Sequence, residues 1–311
     1  MKQQKSISRR GFISKTTQAS AAIFISPQIS FRKQQPSSSS LDIPIYAHLW
    51  VYASKFPPNW DCTPNLETVF SDLSYAGIQG LELMEANLRH QDAVSRIGEL
   101  IKKYSLPVSG SSYGVGLKLF DKNQHADIMA DIQIIIPRLN KLGGKTFGIS
   151  VGHSDKPKSE AQFDAQAEIL QKIEVICNDH GIIANLHNHT YEVENDLHDL
   201  KGTLVRLPDF KLGPDVNWLI RAGVNPIDFI HTYGNQIVYL HLRDQYDDGI
   251  WTEYLGQGAT DFKSISEALK EVDFDGQAAI ELAFPNDFNP KNALKEDWKM
   301  SREYVQNIFG G

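Results

Sequence analysis

Short apolar runs alternate with amphipathic segments from residue 41 onward. Eight runs are apolar near their middles without strict alternation, which is typical of strands buried on both faces. They cover residues 43–50, 80–86, 106–112, 145–152, 182–188, 210–216, 237–244 and 278–284. The segments between them have helical spacing, as in residues 65–77, where Leu66, Val69, Phe70 and Leu73 share one face.

This alternation predicts the fold class. Eight strands with intervening helices in about 270 residues indicate a (β/α)₈ TIM barrel that forms one domain over residues 41–311. A doubly wound open sheet is the main alternative, but it usually has fewer strands. When it binds a nucleotide, it has a Gly-rich first turn, and no such turn follows the first run here.

Residues 1–40 differ in composition from the rest of the chain. They contain seven Lys or Arg and no acidic residue, and they end in a Ser-rich stretch. The pair Arg9-Arg10, followed by Gly11-Phe12-Ile13, is similar to a twin-arginine export signal. We therefore expect residues 1–40 to be a signal and linker and the protein to be periplasmic.

The charge of the remaining chain restricts its partners. Without those seven basic residues, 24 of the 31 Lys and Arg face 38 Asp and Glu, a net charge of −14. Such a surface repels nucleic acid, and no apolar stretch is long enough to span a membrane. We expect a small-molecule ligand, no nucleic acid and no membrane, while a homo-oligomer remains possible.

Polar side chains gather where the predicted strands end. In a TIM barrel the reactive groups come from the carboxyl ends of the strands and the loops after them. Strands five to eight each end in a histidine or carboxylate that can bind a metal, and neighbouring strands lie only about 5 Å apart. The strand-end residues are His48, Trp50, Glu82, Glu85, His153, His187, His189, Glu192, Asp215, Trp218, His241, Arg243, Asp244 and Glu281. Their mixed imidazole and carboxylate groups predict one divalent metal ion.

Two stretches carry a resemblance to a known family. Residues 213–245 (GPDVNWLIRAGVNPIDFIHTYGNQIVYLHLRDQ) and 251–265 (WTEYLGQGATDFKSI) resemble motifs of the xylose-isomerase-like barrels, a superfamily of sugar isomerases and epimerases. The resemblance covers about residues 43 to 309. It implies one divalent ion, Mn, Co, Zn or Mg with Mn favoured, held by Glu, Asp, His and Glu from strands five to eight.

Three of these ligands match directly, as Asp215, His241 and Glu281, and the fourth position falls on His187. We therefore expect His187 to replace the family's first glutamate as a ligand. His189 is then free to reach the substrate or to support the metal site. Glu192 either returns the missing carboxylate or starts the next helix.

The replacement changes the expected chemistry. The family uses two glutamates on opposite faces of the sugar for proton transfer next to a carbonyl. Here Glu281 remains as a base, and a water, Glu85, Glu192 or a histidine has to supply the other group. The residues expected to bind substrate are His48, Trp50, Glu85, His153, Trp218 and Arg243, and those expected to be catalytic are Glu281, Glu192 and His189.

The resemblance thus implies a metal-dependent isomerase or epimerase of an unphosphorylated sugar or keto-sugar. One alternative is a lyase or hydrolase that acts on a 3-keto-glycoside at the same metal site. A second is a carbohydrate-binding protein that has lost catalysis. A phosphodiester hydrolase, as in another branch of the superfamily, conflicts with the acidic balance.

Overall fold

The computed structural model describes residues 41–285 and 288–310. Its centre is one sheet of eight parallel strands, which confirms the predicted TIM barrel. The strands are β1 Ile45–His48, β2 Leu81–Met84, β3 Val108–Tyr113, β4 Thr146–Ile149, β5 Ile183–Leu186, β6 Lys211–Leu212, β7 Tyr239–Leu242 and β8 Gln277–Ile280. All eight lie within or overlap the predicted runs, and the predicted export signal lies outside the described residues.

The barrel closes at a seam between β6 and β7. Continuous pairing runs from β6 through β5, β4, β3, β2, β1 and β8 to β7. Two single bridges, Leu212 with Ile237 and Asp215 with His241, join the two ends of this sheet. The second bridge pairs two of the predicted metal ligands.

Strand β6 is shorter than the predicted run 210–216 because of the residues that follow it. Pro214 has no backbone N–H and cannot donate to a sheet ladder. Beyond it, the side chain of Asn188 replaces strand pairing. Its Oδ1 accepts from Asp215 N at 3.3 Å, and its Nδ2 donates to Asp215 O at 3.4 Å.

Helices surround the barrel, and short ones also follow β1, β2 and β6. The helices are α1 Trp50–Ala53, α2 Leu66–Ala76, α3 Glu85–Arg89, α4 Ala93–Tyr104, α5 His125–Lys141, α6 Glu160–Asp179, α7 Thr190–Arg206, α8 Val216–Arg221, α9 Pro226–Tyr233, α10 Phe262–Glu271 and α11 Leu294–Phe309. Short 3₁₀ turns occupy Thr63–Asn65, Lys122–Gln124 and Gly234–Gln236. Apolar faces of the long helices pack on the outside of the barrel, for example Leu66, Val69, Phe70 and Leu73 of α2, all of them buried.

Helix α7 is interrupted one turn after its start. Glu194 is extended, and Asn195, Asp196 and Leu197 have positive φ angles of 52°, 58° and 60°. The first turn of α7 is therefore separated from the rest of the helix, and it holds Glu192 close to the end of β5. Among the described residues, no helix is both long and apolar enough to span a membrane.

Candidate active site

A cavity of about 320 Å³ opens at the carboxyl ends of the strands. Eight of the predicted site residues line it: His48, Trp50, His153, His187, His189, Trp218, Arg243 and Glu281. Asp215 and His241 lie just below its surface and are almost fully buried. This location agrees with the rule that TIM barrels place their sites at this end.

The sequence His187-Asn188-His189 directs three side chains to three different tasks. The ring of His187 packs against that of His241, with centroids 4.6 Å apart. Asn188 holds the backbone of Asp215, as described above. His189 lies at the start of α7, next to the cavity. Only His187 of the three therefore faces the buried centre of the site.

Asp215 combines a structural role with a free oxygen. Its Oδ1 caps helix α8 by accepting from Asn217 N at 2.8 Å and Trp218 N at 3.1 Å. Its Oδ2 is buried and has no hydrogen-bond partner among the described residues. The nearest cation to Oδ2 is Arg243 Nη2, at 3.4 Å. The cap thus fixes the carboxylate and leaves one oxygen aimed at the site.

His241 lies between two carboxylates. Its Nε2 is 2.6 Å from Glu82 Oε2, and its Nδ1 is 3.3 Å from Glu281 Oε2. Burial lowers the pKa of His241, but the negative charges of Glu82, Glu281 and Asp215 outweigh burial and raise it to about 9. For His187, burial and the neighbouring His241 and His189 keep the pKa well below its usual value, so this imidazole is neutral.

Glu281 is surrounded by basic side chains. Arg243 donates to its Oε1, and His48 Nδ1 lies 3.4 Å from its Oε2. Burial raises the pKa of Glu281, but Arg243, His48 and His241 outweigh burial and hold the pKa well below the usual range. Glu281 is therefore an ionised carboxylate at neutral pH, which is the form that a base requires.

The four predicted metal ligands fit a cation. Each has one buried polar atom without a hydrogen-bond partner among the described residues: His187 Nδ1, Asp215 Oδ2, His241 Nδ1 and Glu281 Oε2. Ligand atoms of His187, Asp215 and His241 all lie within 4.8 Å of one another. Donors on opposite sides of an ion bound at about 2.0–2.2 Å are about 4.4 Å apart, so small side-chain shifts suffice. Two nitrogens and two oxygens form a donor set that suits a divalent transition metal.

A second group of possible ligands, His48, Glu82 and His241, also lies close together. Hydrogen bonds account for these side chains. Glu82 binds His241, and His48 Nε2 is 3.0 Å from Ser112 Oγ. Unlike the four-residue set, this group includes only one buried atom that lacks a partner, His241 Nδ1, which the first set already uses.

His189 presents one ring edge to the cavity and has the other fixed. Its Nδ1 is 2.8 Å from Ser150 Oγ and 3.1 Å from Tyr191 OH. Ser150 Oγ in turn donates to Glu192 Oε1 at 3.0 Å. The ring stacks on Tyr191, with centroids 5.2 Å apart. Nε2 is thus left to meet a ligand.

Glu192 forms the start of α7, the second of the two roles that the sequence left open. Its Oε2 accepts from His189 N at 2.5 Å, and its Oε1 accepts from Val151 N at 2.7 Å. These bonds complete a capping box, and Glu192 does not line the cavity. Glu85, predicted to bind substrate, is also buried and does not line the cavity. It begins α3, with Arg89 3.9 Å away.

Aromatic rings form one wall of the cavity. Trp218 and Trp251 meet edge to face at 5.7 Å, and the guanidinium of Arg243 lies 5.4 Å and 4.8 Å from their ring centroids. Trp50 lines the cavity from the opposite side of the seam strands and packs on Trp60 at 5.3 Å. This wall holds Arg243 in place and offers flat apolar surfaces to a ring-shaped ligand.

Sequence reasoning missed Trp251, Ser150, Tyr191 and the contact made by Glu82. Trp251 and Tyr191 lie in segments that no strand pattern singled out. Ser150 directly follows β4, so a stricter reading of strand ends includes it. Glu82 lies inside its strand, four residues from the end of the predicted run, and its neighbour Glu85 appeared the better candidate.

Residues 70–304 match the sequence model of the xylose isomerase-like TIM barrel. A curated relative, the inosose dehydratase of Geobacillus kaustophilus, is 23% identical over 172 residues, which are 48% of this chain and 54% of that protein. The match thus spans about half the length of this relative.

Two solved structures share the fold. The 3-keto-D-glucoside 4-epimerase of E. coli has a TM-score of 0.67 and 16% identity, over 86% of this chain and 100% of that one. The D-psicose 3-epimerase of Clostridium cellulolyticum has a TM-score of 0.70 and 12% identity, also over 86% and 100%.

Proposed function

Because the chain belongs to the xylose isomerase-like TIM barrel family, we propose that it is a divalent-metal-dependent sugar isomerase or epimerase. Its reaction begins with removal of a proton next to a sugar carbonyl. One observation carries the proposal: four buried atoms without partners, from His187, Asp215, His241 and Glu281, belong to one site beneath a sugar-sized cavity.

These four residues would hold the ion. A bound divalent ion polarises the carbonyl oxygen of the sugar and stabilises the negative charge that develops there. Mn, Co, Zn and Mg are the candidate metals. Mn is favoured by the family resemblance.

Proton transfer is assigned to Glu281 and His189. Glu281 is an ionised carboxylate at the cavity floor and takes the proton. His189 comes from a strand three positions away around the barrel and also lines the cavity. Ser150 and Tyr191 hold its Nδ1, so that Nε2 exchanges a proton with the substrate. His189 thereby supplies the group that a second glutamate supplies in the family pattern.

The other lining residues support an unphosphorylated sugar. Trp218 and Trp50 offer flat apolar faces, while His48, His153 and Arg243 offer polar atoms to hydroxyl groups. The net charge of −14 outside residues 1–40 opposes an anionic phosphate ester. The export signal proposed for residues 1–40 places this activity in the periplasm.

The test is hydrogen exchange. Metal-loaded protein incubated with common ketoses in D₂O is expected to incorporate deuterium at the carbon next to the carbonyl and to form an epimer or isomer. Protein stripped with a chelator serves as the control. Proton transfer without metal would contradict the assigned role of the ion. No exchange with any sugar would contradict the isomerase.

A lyase is the second candidate, and the similarity to an inosose dehydratase favours it. A dehydratase also removes a proton beside a carbonyl and then expels a substituent. Release of the aglycone from a 3-keto-glucoside, without a rearranged glycoside, would identify this reaction. A protein that binds sugars but shows neither reaction would be a binding protein.

A further inference from the structure

Glu82 reaches His241 from another part of the barrel. It lies on β2, whereas His241 lies on β7, 159 residues later. Glu82 Oε2 and His241 Nε2 are 2.6 Å apart, and both side chains are 2% exposed. This is a short charge-assisted hydrogen bond, shielded from water.

The contact distinguishes the two nitrogens of the His241 ring. A carboxylate only accepts hydrogen bonds, so Nε2 must be the donor. Nδ1 is the nitrogen that faces Glu281 and has no hydrogen-bond partner among the described residues. Glu82 therefore determines which nitrogen keeps its proton and which faces the site.

The backbone and neighbours leave Glu82 little freedom. Glu82 pairs with His48 of β1 and with Gly110 of β3. Gly148 on β4 is also close, since a Cβ built on it would lie 3.7 Å from Glu82 Oε1. The carboxylate is thus held in the barrel interior, on the side of His241 away from the unpartnered atoms.

We propose that Glu82 is a positioning residue for the metal site, which holds His241 with Nε2–H toward itself and Nδ1 toward the ion. Carboxylates that fix a ligating histidine in this way typically change metal affinity by about 10- to 100-fold. The proposal rests on the metal site of the proposed function but does not depend on the substrate or the reaction.

The test compares metal binding by wild type, Glu82→Gln and Glu253→Gln, each stripped and titrated with Co²⁺ or Zn²⁺ in a calorimeter. Glu82→Gln is expected to bind about 10- to 100-fold more weakly. Glu253→Gln is the matched control because Glu253 is also buried but accepts from the backbone of Lys291 and Asn292. It is expected to bind like wild type. Equal affinity of all three proteins would overturn the role of Glu82 and leave the proposed function intact, whereas no binding by wild type would overturn both.

A second readout does not require a stable variant. In the Zn²⁺ protein labelled with ¹⁵N-histidine, His241 is expected to show a protonated Nε2 and a metal-bound Nδ1. His241→Asn identifies the resonance by its loss. A protonated Nδ1 in the wild-type spectrum would overturn the proposal even if Glu82→Gln does not fold.

Discussion

Asp215 and His241 pair through a single backbone bridge at the seam where β6 and β7 close the barrel. Each also has one buried side-chain atom with no hydrogen-bond partner among the described residues, Asp215 Oδ2 and His241 Nδ1. The closure of the fold and the assembly of the candidate metal site thus depend on the same pair of residues. A change at either position affects both, and the following substitutions separate the two effects.

Asp215→Asn is expected to remove metal binding and leave the fold stable. Asn is as good a helix cap as Asp, so α8 keeps the bonds to Asn217 N and Trp218 N. The charged ligand oxygen is lost, and metal affinity falls by at least about tenfold. Asp215→Ala loses the cap as well, which costs about 1 kcal/mol of unfolding free energy. Denaturant unfolding and metal titration of both variants check this, and unchanged affinity in Asp215→Asn would remove that residue from the site.

His187→Glu is expected to shift the metal preference. The wild-type set has two nitrogens and two oxygens, and the variant has one nitrogen and three oxygens, which suits Mn²⁺ better. The ratio of Mn²⁺ to Zn²⁺ affinity should rise by about tenfold or more. His189→Gln is the control, because His189 is not among the four ligands and its loss should leave the ratio as it is. A ratio that His187→Glu leaves unchanged would show that His187 does not bind the ion.

Glu281→Gln is expected to lower turnover by about 10²- to 10⁴-fold, since an amide cannot take up the proton. The variant keeps an oxygen for Arg243, so the fold should survive. Deuterium exchange into the sugar and far-UV circular dichroism measure the two effects. A folded variant that retains exchange would exclude Glu281 as the base.

His189→Gln and Glu192→Ala are expected to fail in different ways. His189→Gln loses the second proton-transfer group, so turnover falls while the melting temperature changes little. Glu192→Ala breaks the capping box of α7 and the bonds to Val151 N and His189 N, which lowers stability by about 0.5–2 kcal/mol. Its effect on turnover should be the smaller of the two at a temperature where both variants are folded. The reverse order would return the catalytic role to Glu192.

The fold was predictable because strand and helix patterns are local. All eight strands occur where apolar runs predicted them, and α2 buries the face that its spacing indicated. The length of β6 was not predictable in the same way. The run 210–216 is apolar enough for a strand, but Pro214 and the long-range bonds from Asn188 end the pairing after Leu212.

The candidate site was predictable only as far as each residue's place along its strand determines its direction. His187, Asp215, His241 and Glu281 follow or end their strands, and the structure brings them together as the family resemblance implied. Glu82 and Glu85 lie three residues apart in one short segment. The sequence does not show that Glu85 begins a helix away from the cavity while Glu82 points into the barrel toward His241. That distinction depends on the register of β2 with its neighbours.

The most direct measurement of the account is a crystal structure of the Co²⁺-loaded protein, with anomalous scattering recorded on both sides of the cobalt edge. The account predicts one cobalt peak bound at about 2.0–2.2 Å by His187 Nδ1, Asp215 Oδ2, His241 Nδ1 and Glu281 Oε2. Cobalt bound elsewhere, or no peak between these four side chains at saturating Co²⁺, would contradict it.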